Sequence, residues 1–298
     1  ATAGSINDAG DDTTTDLTSA SNTIVLTAQD EIGGNAATMS TDTAGAIEVA
    51  ANSALDVSST TAGNLVLSGA GVLTLTDLDT TDGSITVSAG GALTATDVVA
   101  GGGTGDSVTL STTTGGAVAT LVTGADAVSI TADAGDITNG AVTAAAGTLG
   151  VTATTGSIND AADDSTADFT AVGLITLTAQ DEIGVLGSGT DTDLEFAASS
   201  SVNVSTTGTG AIDLDGLGAL TLIDVDTVNG AITVTSAGAL TVTDVASGTK
   251  GNLTRTTPSG DIARLATGAA GSGKATGPRG VGSPRWPQSR AAAPGSAS

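Results

Sequence analysis

The stretch GALTLIDVDTVNGAITVTSAGALTVTDV, residues 218–245, repeats one short pattern three times. Each copy opens with a glycine and a small residue, and then alternates apolar, threonine and apolar residues. The copies begin at Gly218, Gly230 and Gly238. Alternation with a period of two indicates a β-strand that buries one face, and glycine permits the positive φ of a sharp corner. The stretch therefore predicts three short strands joined by tight turns.

The same pattern recurs along most of the chain with a regular spacing. Strands are expected to begin at Leu65, Leu73, Ile85 and Leu93, so that a short interval alternates with a longer one. Coils of about 20 residues that stack one strand above another produce this spacing. We predict an all-β fold, a right-handed parallel β-helix (β-solenoid), with the hand set by the chirality of β crossovers.

A longer repeat, roughly half the length of the chain, is superimposed on the coils. GSINDAGDD at Gly4 returns as GSINDAADD at Gly156, and TAQDEIG at Thr27 returns at Thr178. Neither motif contains a recognised chemistry, and both are expected to form structural corners. Because the chain begins inside a repeat, we expect it to be a fragment of a longer protein.

The repeating pattern ends near residue 269, where the composition changes. All five prolines lie at or after Pro258, and all seven lysines and arginines lie at or after Lys250. Proline removes a ladder hydrogen bond, and a segment rich in Gly, Pro and Ser is typical of a disordered linker. We predict a solenoid over residues 1–269 and a disordered basic tail. The two long repeats, the second incomplete, and the tail cover about residues 1–152, 153–269 and 270–298.

The acidity of the solenoid argues against several functions. All acidic residues except Asp261 precede Lys250, and no basic residue does, so nothing there neutralises phosphate groups and no nucleic acid partner is expected. No apolar run approaches the ~18 residues of a membrane span, so no membrane insertion is expected. The chain also lacks histidine and cysteine, which carry much of acid-base and nucleophilic catalysis. We expect no enzyme activity.

The pattern GxLxLxxxxGxIxVxxxGxLxV, repeated coil after coil, resembles the repeats of filamentous haemagglutinin-like exoproteins. It is also similar to the giant repetitive surface adhesins of Gram-negative and related bacteria. The resemblance covers residues 1–269 and implies a β-helix that projects from the cell surface as a stalk. It implies a non-catalytic fragment of an adhesin, extracellular or at the bacterial cell surface. Its partner would be an unidentified receptor on a host surface or a neighbouring cell, or a second copy of itself.

Two other functions remain as alternatives. In the first, outward rows of threonine bind ice, as in some insect and microbial β-solenoids. Thr74 and Thr76 are expected to lie one coil below Thr94 and Thr96, although threonine also favours any solvated strand. In the second, the solenoid acts on carbohydrate with a pair of carboxylates. The motif TAQDEIG offers such pairs, but its recurrence at equivalent positions indicates a corner.

Aspartate-rich turns predict binding sites for calcium, which is the one candidate ion. The turn TDLDTTDG contains Asp77, Asp79 and Asp82, and the second long repeat has Asp224 and Asp226 at equivalent positions. Asp97 follows Asp77 by 20 residues, and Asp244 follows Asp224 by 20, so that one coil apart they would form like-charged ladders that a cation would stabilise. Alternatively, they are solvated turn residues that hydrogen-bond their own backbone. No cofactor is expected to be required.

Overall fold

All strands in the described part of the computed structural model pair in parallel. The structure describes residues 1–8, 14–19, 23–34, 45–161, 165–184, 193–248, 253–257, 262–264 and 273–276. Within these ranges no residue is helical, and so no helix offers the length and apolarity needed to cross a membrane. The all-β class and the parallel solenoid predicted from the sequence are confirmed.

The strands, numbered β1 to β25 in chain order, alternate between two sheets. The first sheet contains β1 (Ile24–Ala28), β3 (Ser53–Ala62), β5 (Leu73–Asp82), β7 (Leu93–Ala95), β8 (Val98–Ala100), β10 (Ala117–Gly124), β12 (Ile137–Ala144), β14 (Ile158–Asp160), β15 (Phe169–Ala171), β17 (Leu194–Phe196), β19 (Ile212–Gly216), β21 (Ile232–Ser236), β23 (Leu253–Thr256) and β25 (Gly273–Thr276). The second sheet contains β2 (Ile47–Val49), β4 (Leu65–Gly69), β6 (Ile85–Ala89), β9 (Val108–Thr112), β11 (Val128–Ala132), β13 (Leu149–Ala153), β16 (Leu174–Ala179), β18 (Ser200–Thr206), β20 (Leu220–Thr227), β22 (Leu240–Ala246) and β24 (Ile262–Arg264).

The pairing register gives the length of one coil. On the first sheet, Leu73 of β5 lies beside Leu93 of β7. On the second sheet, Val128 of β11 lies beside Leu149 of β13. Successive turns of the solenoid are roughly 21 residues apart, which confirms the coil length predicted from the sequence. The right-handed sense of the coil stays a prediction from the chirality of β crossovers.

The interior is a narrow column of aliphatic side chains. Along β21, Ile232 and Val234 are fully buried, whereas Thr233 between them is half-buried on the outer side. The two phenylalanines of the chain, Phe169 and Phe196, lie in register on adjacent coils with ring centroids 5.7 Å apart. Each inward residue thus packs against its counterparts above and below, and removal of this apolar surface from water stabilises the stack.

The two long repeats face opposite sides of the solenoid. Leu73 and Leu220 occupy equivalent sequence positions, yet β5 belongs to the first sheet and β20 to the second. Each coil has two sides, one in each sheet, and the chain passes from one sheet to the other at every step. When β7 and β8 are counted as one side, and β14 and β15 as another, the chain takes thirteen such steps from β2 to its counterpart β17. Because thirteen is odd, the two strands lie on different sheets. Six and a half coils therefore intervene, and equivalent features appear on opposite faces.

The two literally repeated motifs bond to each other across one coil. The Ile6 N–H donates to the Glu31 carbonyl oxygen at 2.9 Å, and the Glu31 N–H donates to Ser5 Oγ at 3.3 Å. The second long repeat makes the same two bonds at the same distances through Ser157, Ile158 and Glu182. These bonds give SINDA and TAQDEIG a structural role at a corner.

The glycine that ends TAQDEIG cannot carry a side chain. Gly33 has φ 66° and Gly184 has φ 73°, both in the left-handed region that disfavours other residues. A Cβ atom added to Gly33 would lie 2.1 Å from the Val66 carbonyl oxygen, and one added to Gly184 would lie 2.2 Å from that of Asp213. The backbone of the next coil therefore approaches too closely for any other residue.

The first sheet extends into the segment that composition assigns to a disordered tail. Strand β25, Gly273–Thr276, pairs in parallel with β23, so that Gly273 lies beside Leu253. This strand precedes Pro278, and proline would remove a hydrogen bond from the ladder. The rest of the predicted tail lies outside the described residues.

Substitution of neighbouring residues on β22 checks the inward and outward assignment. Leu240 is fully buried, whereas Thr241 is exposed and lies beside Thr221 and Ala263. Leu240→Asp places a carboxylate without a partner in the apolar column, and we expect it to lower the free energy of unfolding by several kcal/mol. Thr241→Asp should change it by less than about 1 kcal/mol. Urea denaturation measures both, and equal losses would contradict the assignment.

Candidate functional site

Clusters of three carboxylates occur at two places in the described part of the chain. In each cluster, one oxygen atom from every residue lies within 4.8 Å of the other two. The first cluster consists of Asp8, Asp16 and Glu48, and the second cluster consists of Asp160, Asp168 and Glu195. Within the described ranges, no other group of three or more such ligand residues meets this distance.

The two clusters occupy equivalent positions in the two long repeats. In the alignment of the repeats, Asp8 matches Asp160, Asp16 matches Asp168 and Glu48 matches Glu195. Because the repeats face opposite sides, the first cluster lies on the second sheet at β2 and the second cluster lies on the first sheet at β17. Six and a half coils at about 4.8 Å each separate their levels by roughly 31 Å along the solenoid axis.

The pairing of strand β2 with the segment around Leu17, in the preceding coil, builds the first cluster. Glu48 lies between Ile47 and Val49, which point inward, so the alternation of the strand directs Glu48 outward. It is nevertheless only 7% exposed. The N–H groups of Asp16 and Leu17 donate to the Glu48 carbonyl oxygen at 2.9 Å, and the Glu48 N–H donates to Asp16 Oδ2 at 3.1 Å. These bonds hold the Asp16 carboxylate against the strand.

The second cluster repeats this arrangement more deeply. Glu195 is the middle residue of β17 and is 1% exposed, and Asp168 is 5% exposed. The Glu195 N–H donates to Asp168 Oδ2 at 3.0 Å, as the Glu48 N–H does to Asp16. The Val142 N–H donates to the Asp168 carbonyl oxygen at 2.7 Å and fixes this residue from the preceding coil.

Burial and mutual repulsion act against ionisation of these carboxylates. Burial raises the pKa of Glu48 to about 7, and the carboxylates of Asp16 and Asp8 add to the rise. Burial also raises the pKa of Asp168 to about 10, with further contributions from Glu195 and Asp160. With no basic residue before Lys250, a full set of charges in either cluster needs a cation, and otherwise protons are retained.

The predicted calcium residues of the first long repeat lie elsewhere, on β5. Asp77 lies beside Asp56 of β3. Burial raises the pKa of Asp79, and the charges of Asp77 and Asp97 raise it further. Asp82 ends the strand at an exposed position. The structure thus brings Asp77 and Asp79 near Asp97, one coil away, as the spacing predicts.

The predicted calcium residues of the second long repeat form an acidic ladder on β20. Asp224 lies directly beside Asp244 of β22. Burial raises the pKa of Asp226, and Asp224 and Asp244 add to the rise. In both long repeats, however, these aspartates lie outside the two described groups of three carboxylates within 4.8 Å. Calcium at the five predicted aspartates stays a prediction.

Rows of hydroxyl side chains run along both sheets. The predicted pair is present on the first sheet, where Thr74 lies beside Thr94, but the row ends at Ala54 on one side and Val118 on the other. A longer row of half-buried, outward residues occupies seven successive coils of the second sheet. This hydroxyl row consists of Ser68, Ser88, Ser111, Thr131, Thr152, Thr178 and Ser205.

Sequence reasoning missed the two clusters, although the sequence contains two signals. Asp8 and Asp160 end the literal repeat SIND, and Glu48 and Glu195 interrupt apolar strands, in IEV and LEF. An acidic residue between two inward residues of a short strand is a signal that another polar side chain packs against it. The covering residue Asp16 is 32 residues away from Glu48, and only the pairing register brings them together.

Family models, curated proteins and solved structures give no match to this chain. The resemblance to filamentous haemagglutinin-like repeats stays a prediction. Function is therefore argued from the residues and geometry of the chain itself.

The raised pKa values predict how stability depends on pH when divalent cations are chelated. A carboxyl group with a folded-state pKa above its unfolded value stabilises the fold fully below the unfolded pKa. This contribution is lost as pH rises through the folded pKa. For Glu48 the window runs from 4.5 to about 7, and for Asp168 from 3.8 to about 10. We expect the melting temperature in EDTA to fall steadily from pH 4 to pH 10.

The variant Asp168→Asn provides the control for this pH dependence. Asparagine has a similar shape and does not ionise, so the melting temperature of the variant should fall less between pH 5 and pH 9. Calorimetry at constant ionic strength measures both proteins and keeps the screening of exposed charges equal. Parallel curves for the two proteins would show that Asp168 does not titrate in this window.

Proposed function

We propose that the chain is a structural, non-catalytic stalk fragment of a bacterial adhesin, secreted or at the cell surface. The observation that supports this proposal is the continuity of the two sheets. Parallel pairing runs from β1 to β25 in the first sheet and from β2 to β24 in the second. A stack of this kind grows in length without changing its cross-section, which suits a spacer.

The connections between described strands leave little room for a separate binding domain. The longest of these connections joins Ala28 to Ile47 and includes the isolated bridge residue Ile32. It is too short for an independent domain, which typically needs at least about 50 residues. In this proposal the stalk positions a binding region, and its partner is a receptor on a host surface or a neighbouring cell, or a second copy of the chain.

Removal of whole coils tests the spacer function. The register runs from Leu73 through Leu93 and Ala117 to Ile137, so deletion of residues 73–136 removes three coils and places Ile137 where Leu73 was. We expect a folded protein that is shorter by roughly 14 Å, three times the ~4.8 Å coil spacing. Small-angle scattering measures the length, and energy transfer between labels at the two ends provides a second measure.

Two outcomes would count against the stalk. Deletion of residues 73–82 alone leaves a coil that cannot close, and this control should fail to fold cooperatively. Cooperative folding of the control would show that the coil is not the structural unit. Release of reducing or unsaturated sugar ends from a polysaccharide panel would favour the alternative of a carbohydrate-acting enzyme.

Ice binding is a second candidate, favoured by the hydroxyl row on the second sheet. Seven outward hydroxyl groups at about 4.8 Å spacing form a regular array. The row mixes serine with threonine, however, and serine lacks the methyl group of a threonine array, so the stalk is preferred. Thermal hysteresis tests the candidate. Thr152→Lys, within the row, should abolish any hysteresis, whereas Thr241→Lys, outside the row, should preserve it.

A further inference from the structure

We propose that the first and second clusters are two binding sites for a hard divalent cation, for which calcium is the fitting ion. The cation would join aspartates of one coil to the glutamate of the next coil's strand. The proposal does not depend on the stalk function, because it concerns what holds the coils together. It also differs from the calcium sites predicted at the five aspartates of β5 and β20.

Glu48 is the buried acidic residue of the first cluster. Both of its carboxylate oxygens are buried, and neither has a hydrogen-bond partner. The residue is only 7% exposed, and one of these oxygens lies within 4.8 Å of oxygens of Asp8 and Asp16. A buried carboxylate without a partner is strongly destabilising. The arrangement therefore points to a cation-binding position where the three side chains meet.

The donor set identifies the class of ligand. All donors in the two clusters are carboxylate oxygens, which hard cations prefer over the nitrogen and sulfur ligands of softer metals. Calcium binds oxygen at about 2.3–2.6 Å, so ligands on opposite sides of the ion are about 4.6–5.2 Å apart. Three oxygens that approach one another within 4.8 Å are close to the spacing at which one calcium ion can contact them all. Magnesium has shorter bonds of about 2.0–2.1 Å and a strict octahedral geometry, and it usually keeps several waters in place of an all-protein set of ligands.

The second cluster supplies an independent copy of the same arrangement. Its three residues have the same types, Asp, Asp and Glu, at equivalent positions of the long repeat. The hydrogen bond from the glutamate N–H to the aspartate Oδ2 is also retained. The apolar residues around it differ, since Leu17 is replaced by Phe169 and Val49 by Phe196. The carboxylates are kept while their surroundings change, which points to a role for the oxygens themselves.

Charge balance favours a cation over an internal counter-ion. Each cluster would carry three negative charges when ionised, and no lysine or arginine precedes Lys250. A divalent cation would neutralise most of this charge. It would also join Asp16 to Glu48, which are distant in the sequence, and so hold adjacent coils together.

Calcium binding to the full chain tests the proposal by stoichiometry. The protein is stripped with EDTA, dialysed, and titrated with calcium chloride in an isothermal calorimeter at neutral pH. We expect two sites per chain that a tenfold excess of magnesium does not occupy. Glu48→Gln and Glu195→Gln should each remove one site, because glutamine keeps the shape of the side chain and loses its charge. The double variant should retain none.

A matched control separates the clusters from the acidic ladders on β5 and β20. Asp79→Asn together with Asp226→Asn changes carboxylates outside both clusters, and this variant should still bind two calcium ions. If it loses both ions while the Glu→Gln variants keep them, calcium binds at the ladders and the proposal is overturned. Absence of calcium binding to the unmodified protein also overturns it, and the clusters are then held together by shared protons.

A melting experiment keeps the test decisive if the double variant does not fold. Calcium should raise the melting temperature of the unmodified protein more than magnesium or sodium chloride at equal ionic strength, because only the folded chain assembles the clusters. Each single variant should show a smaller rise. Identical melting temperatures in the three salts would contradict the proposal.

Discussion

The parallel backbone ladder between successive coils is the constraint on which the rest of the structure depends. Every strand has the same partner geometry above and below, so an inward residue must recur at the same place in each coil. Leu194, Leu214 and Val234 illustrate this on the first sheet. A slip of one residue would turn every inward side chain outward. Variation in length is therefore confined to corners and to register shifts such as that between Val202 and Asn203.

The same ladder that aligns the apolar column also aligns acidic residues on the outer surface. Asp56 and Asp77 lie side by side, as do Asp224 and Asp244. Without basic residues before Lys250, solvent, protons or cations must offset this repulsion. Water and dissolved salt screen charge at the exposed ladders. At the clusters the two glutamates are almost fully buried, whereas the ladder aspartates are half-buried or exposed, and this difference in burial separates the two kinds of acidic site.

The long repeat spans six and a half coils, so equivalent residues of its two copies lie on opposite sheets of the solenoid. Equivalent clusters lie on opposite sheets and roughly 31 Å apart along the axis. This distance is several times the Debye length of about 8 Å at physiological ionic strength. The two sets of charges therefore do not repel each other, and each cluster behaves as a separate site.

The sequence by itself determined most of the strands, their inward residues, the coil length and the neighbours of Asp224, because each depends on a local period of two or on the fixed spacing of the coils. The strand Gly273–Thr276, the sheets on which the repeats lie and the carboxylate clusters were decided only by the tertiary structure. The sheet on which a repeated strand lies depends on the number of steps between the two sheets, and the irregular corners set that number. The clusters depend on the pairing of adjacent coils, in which Asp16 accepts a hydrogen bond from Glu48 across 32 residues. No local period encodes such a contact, since it arises only when the coils close and stack.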